Sequence, residues 1–203
     1  MIFILAAGEQ KRWGDKPLKQ LLPLGATTII ERTIQMSWGI VVSHKQEITD
    51  ACNHVFLIPN KHRFTCETIL STRMLWTTQT TILLGDTIYS HNLMNIVLAD
   101  KSVFRVFGNK WEIFALSFNI NLVEYLERVV RKAELGKGKG TLRNLFWEYT
   151  STDKDTDTAH EYFTIVDQFN DYTNDVDSPK EYENFMRQHY NTLRIDDGRM
   201  QKD

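Results

Sequence analysis

The first residues able to do chemistry follow directly on residues that cannot. The chain begins MIFILAAGEQKRWGDKPLKQLLPL, where an apolar run from Ile2 to Ala6 breaks at Gly8 into a stretch carrying Lys11, Arg12, Lys16 and Lys19. Cations placed just past a buried strand suit an anion-binding site at the end of a sheet; the plainer reading is a solvated loop after an edge strand. Acidic residues stand at two later breaks: Asp86 follows the apolar TTILLG, and Asp175 and Asp177 sit in NDVDSP ahead of a helix start. In an open α/β sheet, ligands bind beyond the carboxyl ends of the strands, so Gly8 and Asp86 share a functional edge if their strands are neighbours. Asp177 has a second explanation, because a carboxylate is stabilised at a helix N-terminus.

The elements that would carry these residues can be read from periodicity. Ile2 to Ala6 is continuously apolar and bounded by a glycine turn, the pattern of a strand covered on both faces. In TTIIERTIQMSW, Thr28 and Glu31 have capping-box spacing while Ile30, Ile34 and Trp38 recur on one face, which predicts a helix. GIVVS, Val55 to Ile58 and TTILLGD read as further strands, with ETILSTRMLW a helix between the last two. Strands alternating with helices predict a parallel α/β sheet. SVFRVFG and EIFALSF then read as two adjacent strands, an antiparallel addition. INLVEYLERVVRKAEL predicts an amphipathic helix, GKGKG a flexible connection, TLRNLFWEY another helix and YFTIVD a strand. Ser178, Pro179 and Glu181 mark the start of a last helix, EYENFMRQHY. The expected fold class is α/β: a Rossmann-like, mostly parallel sheet flanked by helices, in a single domain over residues 1–194 with a frayed tail at 195–203.

The totals narrow the setting. A chain of 203 residues can bury a proper core, and its 42% hydrophobic, 11% aromatic and 25% charged residues are those of an ordinary soluble globular protein. A formal net charge of -2 argues against nucleic acid or a membrane surface as the main partner, and a homo-oligomer is compatible with this composition. No apolar stretch approaches the roughly 20 residues of a membrane span. MIFILAAG is short for a signal peptide and lacks a basic leader, so it is expected to be structure. Cys52 and Cys66, without a metal-ligand pattern around them, read as reduced structural thiols of a cytoplasmic protein.

The opening stretch also carries a resemblance. LAAGEQKRWGDKPLKQLLPLGATTIIERTI is similar to the signature of nucleotidyltransferases that make nucleotide sugars and related nucleotide-activated metabolites, L-A-A/G-G-x-G-x-R followed by P-K-x-L-L-P-L and a helix. Leu5, Ala6, Ala7, Gly8 and Arg12 match its first half, and Lys19-Gln20-Leu21-Leu22-Pro23-Leu24 its second. ILLGD resembles the strand plus Asp of sugar-phosphate members, and NDVDSPKEYENF a late D-x-D-containing segment. Two positions depart from the pattern: Gln10 stands where the loop has its second glycine, and Leu18-Lys19 replaces Pro-Lys, with Pro17 one place early and Lys16 a competitor for the role of Lys19.

The resemblance implies a GT-A-like nucleotidyltransferase fold and a Mg2+-dependent enzyme. Its reaction would move a nucleoside monophosphate from a nucleoside triphosphate to a phosphorylated small-molecule acceptor, releasing pyrophosphate. A sugar 1-phosphate is the leading acceptor; the alternatives are an alditol phosphate or molybdopterin-type cofactor, or a nucleotide-binding regulator without turnover. The attacking phosphate oxygen is already ionised near neutral pH, so the task is to bring polyanions together and stabilise their charge. In this reading Leu5, Ala6, Ala7 and Gly8 bind the nucleotide, Ser71 contacts base or ribose, Arg12 holds the β/γ-phosphates and Lys19 the α-phosphate. Asp86 and Asp177 ligate Mg2+, with Asp175 the alternative to Asp177. The glycine-rich GKGKGT lacks P-loop order and follows a helix, which leaves Lys137 or Lys139 as secondary candidates for the acceptor phosphate. Trp111-Glu112 and Trp147 have two readings, walls of an acceptor pocket or, more plainly, core or surface packing.

Overall fold

A strand such as Ile2–Leu5 is stable only if both of its faces are covered. A computed structural model of the chain, which describes residues 1–8, 13, 17–152, 160–165 and 171–200, shows how this is done. The chain runs β1 (Ile2–Leu5), the hairpin β2 (Pro23–Leu24) and β3 (Thr27–Thr28), α1 (Ile29–Ser37), β4 (Ile40–Val42), α2 (Gln46–Cys52) and β5 (Phe56–Leu57). It continues through α3 (Thr65–Ser71), β6 (Thr80–Leu84), β7 (Thr87–Ile88), α4 (His91–Ala99), β8 (Phe104–Gly108) and β9 (Ile113–Phe118). The last elements are α5 (Val123–Glu134), α6 (Leu142–Thr150), β10 (Phe163–Ile165), β11 (Asn174–Asp175) and α7 (Pro179–Met200).

Among the described residues the central sheet has seven strands in the order β5-β4-β1-β6-β9-β8-β10. β5, β4, β1 and β6 are mutually parallel, β9 runs antiparallel to β6 and β8, and β10 is parallel to β8. This is the mostly parallel sheet with an antiparallel addition expected from the sequence. The chain steps outward from β1 to β4 and β5, then crosses back to β6 on the other side of β1. A crevice therefore opens beyond the carboxyl ends of β1 and β6, the topological switch point.

Alternation along β1 sends Phe3 and Leu5 to one core and Ile4 and Ala6 to the other. The first core is closed by Cys66 and Ile69 of α3, Leu126 and Val129 of α5 and Phe146 of α6; the second by Ile30 and Ile34 of α1 and Leu93 and Val97 of α4. Each fully buried aliphatic side chain contributes roughly 1.5–3 kcal/mol, which makes these two layers the main source of stability. Helix α1 begins at the expected capping box, with the Thr28 side chain accepting from Glu31 N and Glu31 accepting from Thr28 N. Burial pushes the Cys66 thiol up, and burial with the nearby Glu31 takes Cys52 up to about 11, so both remain thiols near neutral pH.

Several elements extend or depart from the sequence reading. The predicted helix after Pro59 ends at Ser71 and continues only as a 3-10 turn, Arg73–Leu75, while the last helix continues well beyond its predicted end to Met200. The loop GKGKG is fastened: Gly140, with φ 67°, accepts a hydrogen bond from Cys66 N at 2.9 Å. At the end of β8 the register shifts between Phe107 and Gly108, and Asn109 N donates to Glu112 O at 2.9 Å across a tight turn. A Cβ at Gly108 would overlap the Glu112 carbonyl oxygen, a backbone atom that cannot step aside. Gly108→Ala is accordingly expected to cost about 1–3 kcal/mol in urea denaturation; an unchanged midpoint would mean that the turn is free to move.

Candidate functional site

Two glycines mark the crevice. Gly85 lets β6 end close against β1: its N donates to Leu5 O at 2.9 Å, and an added Cβ would lie 2.9 Å from that same oxygen. Asp86 is thereby held beside the end of β1. At Gly8 a Cβ would meet no atom of the described residues within 4 Å. Leu5, Ala7, Gly8, Leu84 and Asp86 all line one cleft of about 430 Å³.

The other carboxylates arrive from near the end of the chain. β11 pairs antiparallel with β7, setting Asp175 opposite Thr87, the residue after Asp86. Strand alternation then turns Asp175 and Asp177 to the cleft and sends Val176 into a third apolar cluster with Trp13, Ile29, Ile88 and Phe185. Asp177 is fixed by the start of α7: its N donates to Glu181 Oε2 at 2.9 Å, while Glu181 N donates to Ser178 Oγ at 3.3 Å. The predicted capping box is thus half formed, with the glutamate reaching one residue further back. Upstream, Thr173 Oγ1 accepts from Ser90 N at 2.9 Å, and the buried Arg32 donates to the Tyr89 carbonyl and to Tyr172 Oη at 3.1 Å.

Lys19 lies in the middle. Its Nζ is 3.0 Å from Asp86 Oδ2, 3.4 Å from Asp177 Oδ1 and 3.8 Å from Asp175 Oδ1, and its side chain is only 10% exposed. Burial alone would lower this ammonium's pKa; Asp86 first, then Asp175 and Asp177, outweigh burial and raise it. Glu112, delivered by the turn after β8, completes a triangle with Asp175 and Asp177, one carboxylate oxygen from each lying within 4.8 Å of the other two. Three buried polar atoms of this cleft's residues have no hydrogen-bond partner among the described residues: Trp13 Nε1, Gln20 Oε1 and Asp175 Oδ1. Such atoms are costly unless something else satisfies them.

Of the residues named from the sequence, Leu5, Ala7, Gly8, Lys19, Asp86 and Asp177 are brought together. Ala6 lies in the core, with its N donating to Val42 O and its O accepting from Ser43 Oγ. Ser71 is not at the cleft; its hydroxyl bonds Asn60 and Lys61 along a separate groove. It is the last residue of α3, whereas the residues of that helix lining the cleft are Thr65 and Thr68 near its start. Lys139 lines the cleft, and Lys137 lies in another depression. Arg12, Gln10 and Lys16 lie outside the described residues. Periodicity did not reveal Glu112 and Arg63. The signals for them were a glycine-asparagine turn ahead of Glu112 and an Arg63–Glu67 pair at i,i+4 spacing.

No family model matches this sequence, and no curated protein sequence matches it. Solved structures do match. A Bacillus anthracis protein described as a glucose-1-phosphate thymidylyltransferase superposes with a TM-score of 0.62 at 11% identity, covering 91% of this chain and 92% of that one. The inositol-1-phosphate CTP transferase of T. maritima gives 0.56 at 9% identity over 89% and 90%. CTP:phosphocholine cytidylyltransferase of Streptococcus pneumoniae gives 0.57 at 14% over 92% and 97%. The fold of this chain is that of nucleotidyltransferases.

The carboxylate cluster carries a pH signature of its own. Burial, then the charge of Asp86, raises the Asp175 carboxyl to about 8 against the opposing pull of Lys19. The same group ionises near pH 4 in an unfolded chain. Between those values the folded protein holds a proton that the unfolded chain has lost, so stability falls as pH rises through the window. In a metal chelator, the melting temperature of the wild type is expected to fall from about pH 5 to pH 9 more steeply than that of Asp175→Asn. Parallel curves would mean that Asp175 is ionised throughout.

Proposed function

We propose that this chain is a nucleotidyltransferase, moving a nucleoside monophosphate from a nucleoside triphosphate to a phosphorylated small molecule and releasing pyrophosphate. The observation that carries the reading is the convergence of Lys19, Asp86, Asp175 and Asp177 at the switch-point cleft beside Gly8, in a fold shared with enzymes of that activity.

A divalent cation such as Mg2+ fits the residues present. The donors are hard carboxylate oxygens, and Asp175 Oδ1 is buried without a hydrogen bond among the described residues. Asp86 and Asp177 would hold the ion; Asp175 and Glu112 each offer an oxygen within 4.8 Å of one on Asp177. Once bound, it would supply positive charge for phosphate oxygens that become more negative as the bond to pyrophosphate breaks. The chain's own part is positioning. Ala7 and Gly8 offer backbone beside open space, Lys19 has an ammonium within reach of the α-phosphate region, and Arg12 is assigned to the β/γ-phosphates. An acceptor phosphate is already ionised, so in-line placement rather than a general base sets the rate.

The acceptor is a phosphate monoester. A sugar 1-phosphate leads, in keeping with the glucose 1-phosphate in the description of the Bacillus anthracis protein. Inositol 1-phosphate and phosphocholine in two other neighbours widen the class to phosphorylated small alcohols. No described helix is long and apolar enough to cross a membrane, and the two free thiols support a cytoplasmic setting.

The test is pyrophosphate release with Mg2+, each common nucleoside triphosphate, and pooled sugar 1-phosphates and other phosphate monoesters. One nucleotide and one pool are expected to give release, and Asp86→Asn or Asp177→Asn to lower kcat about 100-fold or more. Nucleotide binding without release in any pool would instead identify a nucleotide-binding regulator.

A further inference from the structure

Across the end of β1 from the acidic cluster, the cleft has a second wall with a different charge. It is built from the segment after β5 and the loop before α6, and carries His62, Arg63 and Lys139. The two segments are locked together: Cys66 N donates to Gly140 O at 2.9 Å, and a Cβ at Gly140 would lie 2.6 Å from Phe64 Cβ.

Arg63 is held in an unusual way for a rim residue. Glu67, whose side chain is 4% exposed, accepts from Arg63 N at 2.9 Å, from Nε at 3.2 Å and from Nη2 at 2.6 Å. Glu134 of α5 takes Nη2 as well, at 2.5 Å. Despite three contacts to one buried carboxylate, the arginine side chain remains 56% exposed. Its Nη1 donates to no protein group among the described residues. Burying a carboxylate is unfavourable unless it is paired. Here the pairing takes Nε and Nη2 and leaves Nη1, one arm of the planar guanidinium, to donate to an anion such as phosphate. Among the described residues the ion pairs of the three aspartates are with Lys19, not with Arg63.

We propose that Arg63 is a specificity-determining residue that takes a phosphate group in the cleft, with Glu67 as its positioning residue. The phosphate belongs to the acceptor or to the nucleotide; only this choice rests on the nucleotidyl-transfer reading.

The test is calorimetric titration of inorganic phosphate into the wild type, Arg63→Gln, Arg63→Lys and Glu67→Gln, alone and with saturating nucleoside triphosphate. Each nucleoside triphosphate is also titrated on its own, and melting temperature is recorded throughout. Arg63→Gln is expected to weaken phosphate binding about 10-fold or more, as loss of a charge-assisted hydrogen bond implies. Arg63→Lys, which keeps the charge without the fork, and Glu67→Gln, which keeps the arginine, are expected to weaken it by a smaller factor. Weakening that persists with the nucleotide bound, while nucleotide affinity stays unchanged, assigns the acceptor; weakened nucleotide binding assigns the triphosphate. Unchanged binding of both, with only a lower melting temperature, overturns the proposal and leaves Arg63 as a loop tie. Should the wild type bind no nucleoside triphosphate, the transferase reading fails while the phosphate-only titration still decides the role of Arg63.

Discussion

Two residue pairs between β7 and β11 hold the site together. Asn174 opposite Ile88 and Asp175 opposite Thr87 bring Asp175 and Asp177 to the crevice beyond β1 and β6, where Asp86 and Lys19 already stand. So short a ladder has little stability of its own. It persists because its surroundings specify it: Val176 is buried with Ile88, Ser90 is bonded to Thr173 and Asp171, and Tyr182 Oη reaches the Pro23 carbonyl from α7. The third apolar cluster is therefore part of the site's construction as much as of the fold.

What that ladder assembles is electrostatically unfavourable in isolation. Asp86, Asp175, Asp177 and Glu112 crowd one end of the sheet, with Lys19 set among the three aspartates. Burial first, then the like charge of Asp86, favours protonation of Asp175 and raises its pKa to about 8. A fold under selection for stability alone would not gather them. Two well-packed layers on either side of the sheet are large enough to carry the local cost, and the same cost makes the cluster receptive to a cation.

Local features were legible in the sequence and non-local ones were not. The apolar run Ile2 to Ala6, the capping box at Thr28 and the adjacent strands around Gly108 follow from patterns within a dozen residues. The DVD alternation at 175–177 was visible as two carboxylates flanking an apolar residue, yet it did not announce a strand, because a two-residue strand exists only through its distant partner. Helix α4, HNLMNIVLA, has too many apolar positions in a short span to separate helix from strand by periodicity. Glu112 reaches the cluster through a register shift, and β-bulges re-aim side chains without leaving a clear trace in composition. Ser71 was placed on the right helix, but at the end away from the cleft.

Gly8 and Gly85 show why a glycine motif alone could not settle the function. Both stand just past a strand, and as letters they carry equal weight. Gly85 is required by the protein itself, since a side chain there would press on Leu5 O and separate β6 from β1. At Gly8 a Cβ would meet no described atom within 4 Å, and the residue lines the cleft. A residue kept small by its neighbours belongs to folding, and one kept small with nothing beside it belongs to whatever binds there. On that distinction, the backbone at Gly8, next to Lys19 and its aspartates, is the part of the signature that points most directly at a ligand.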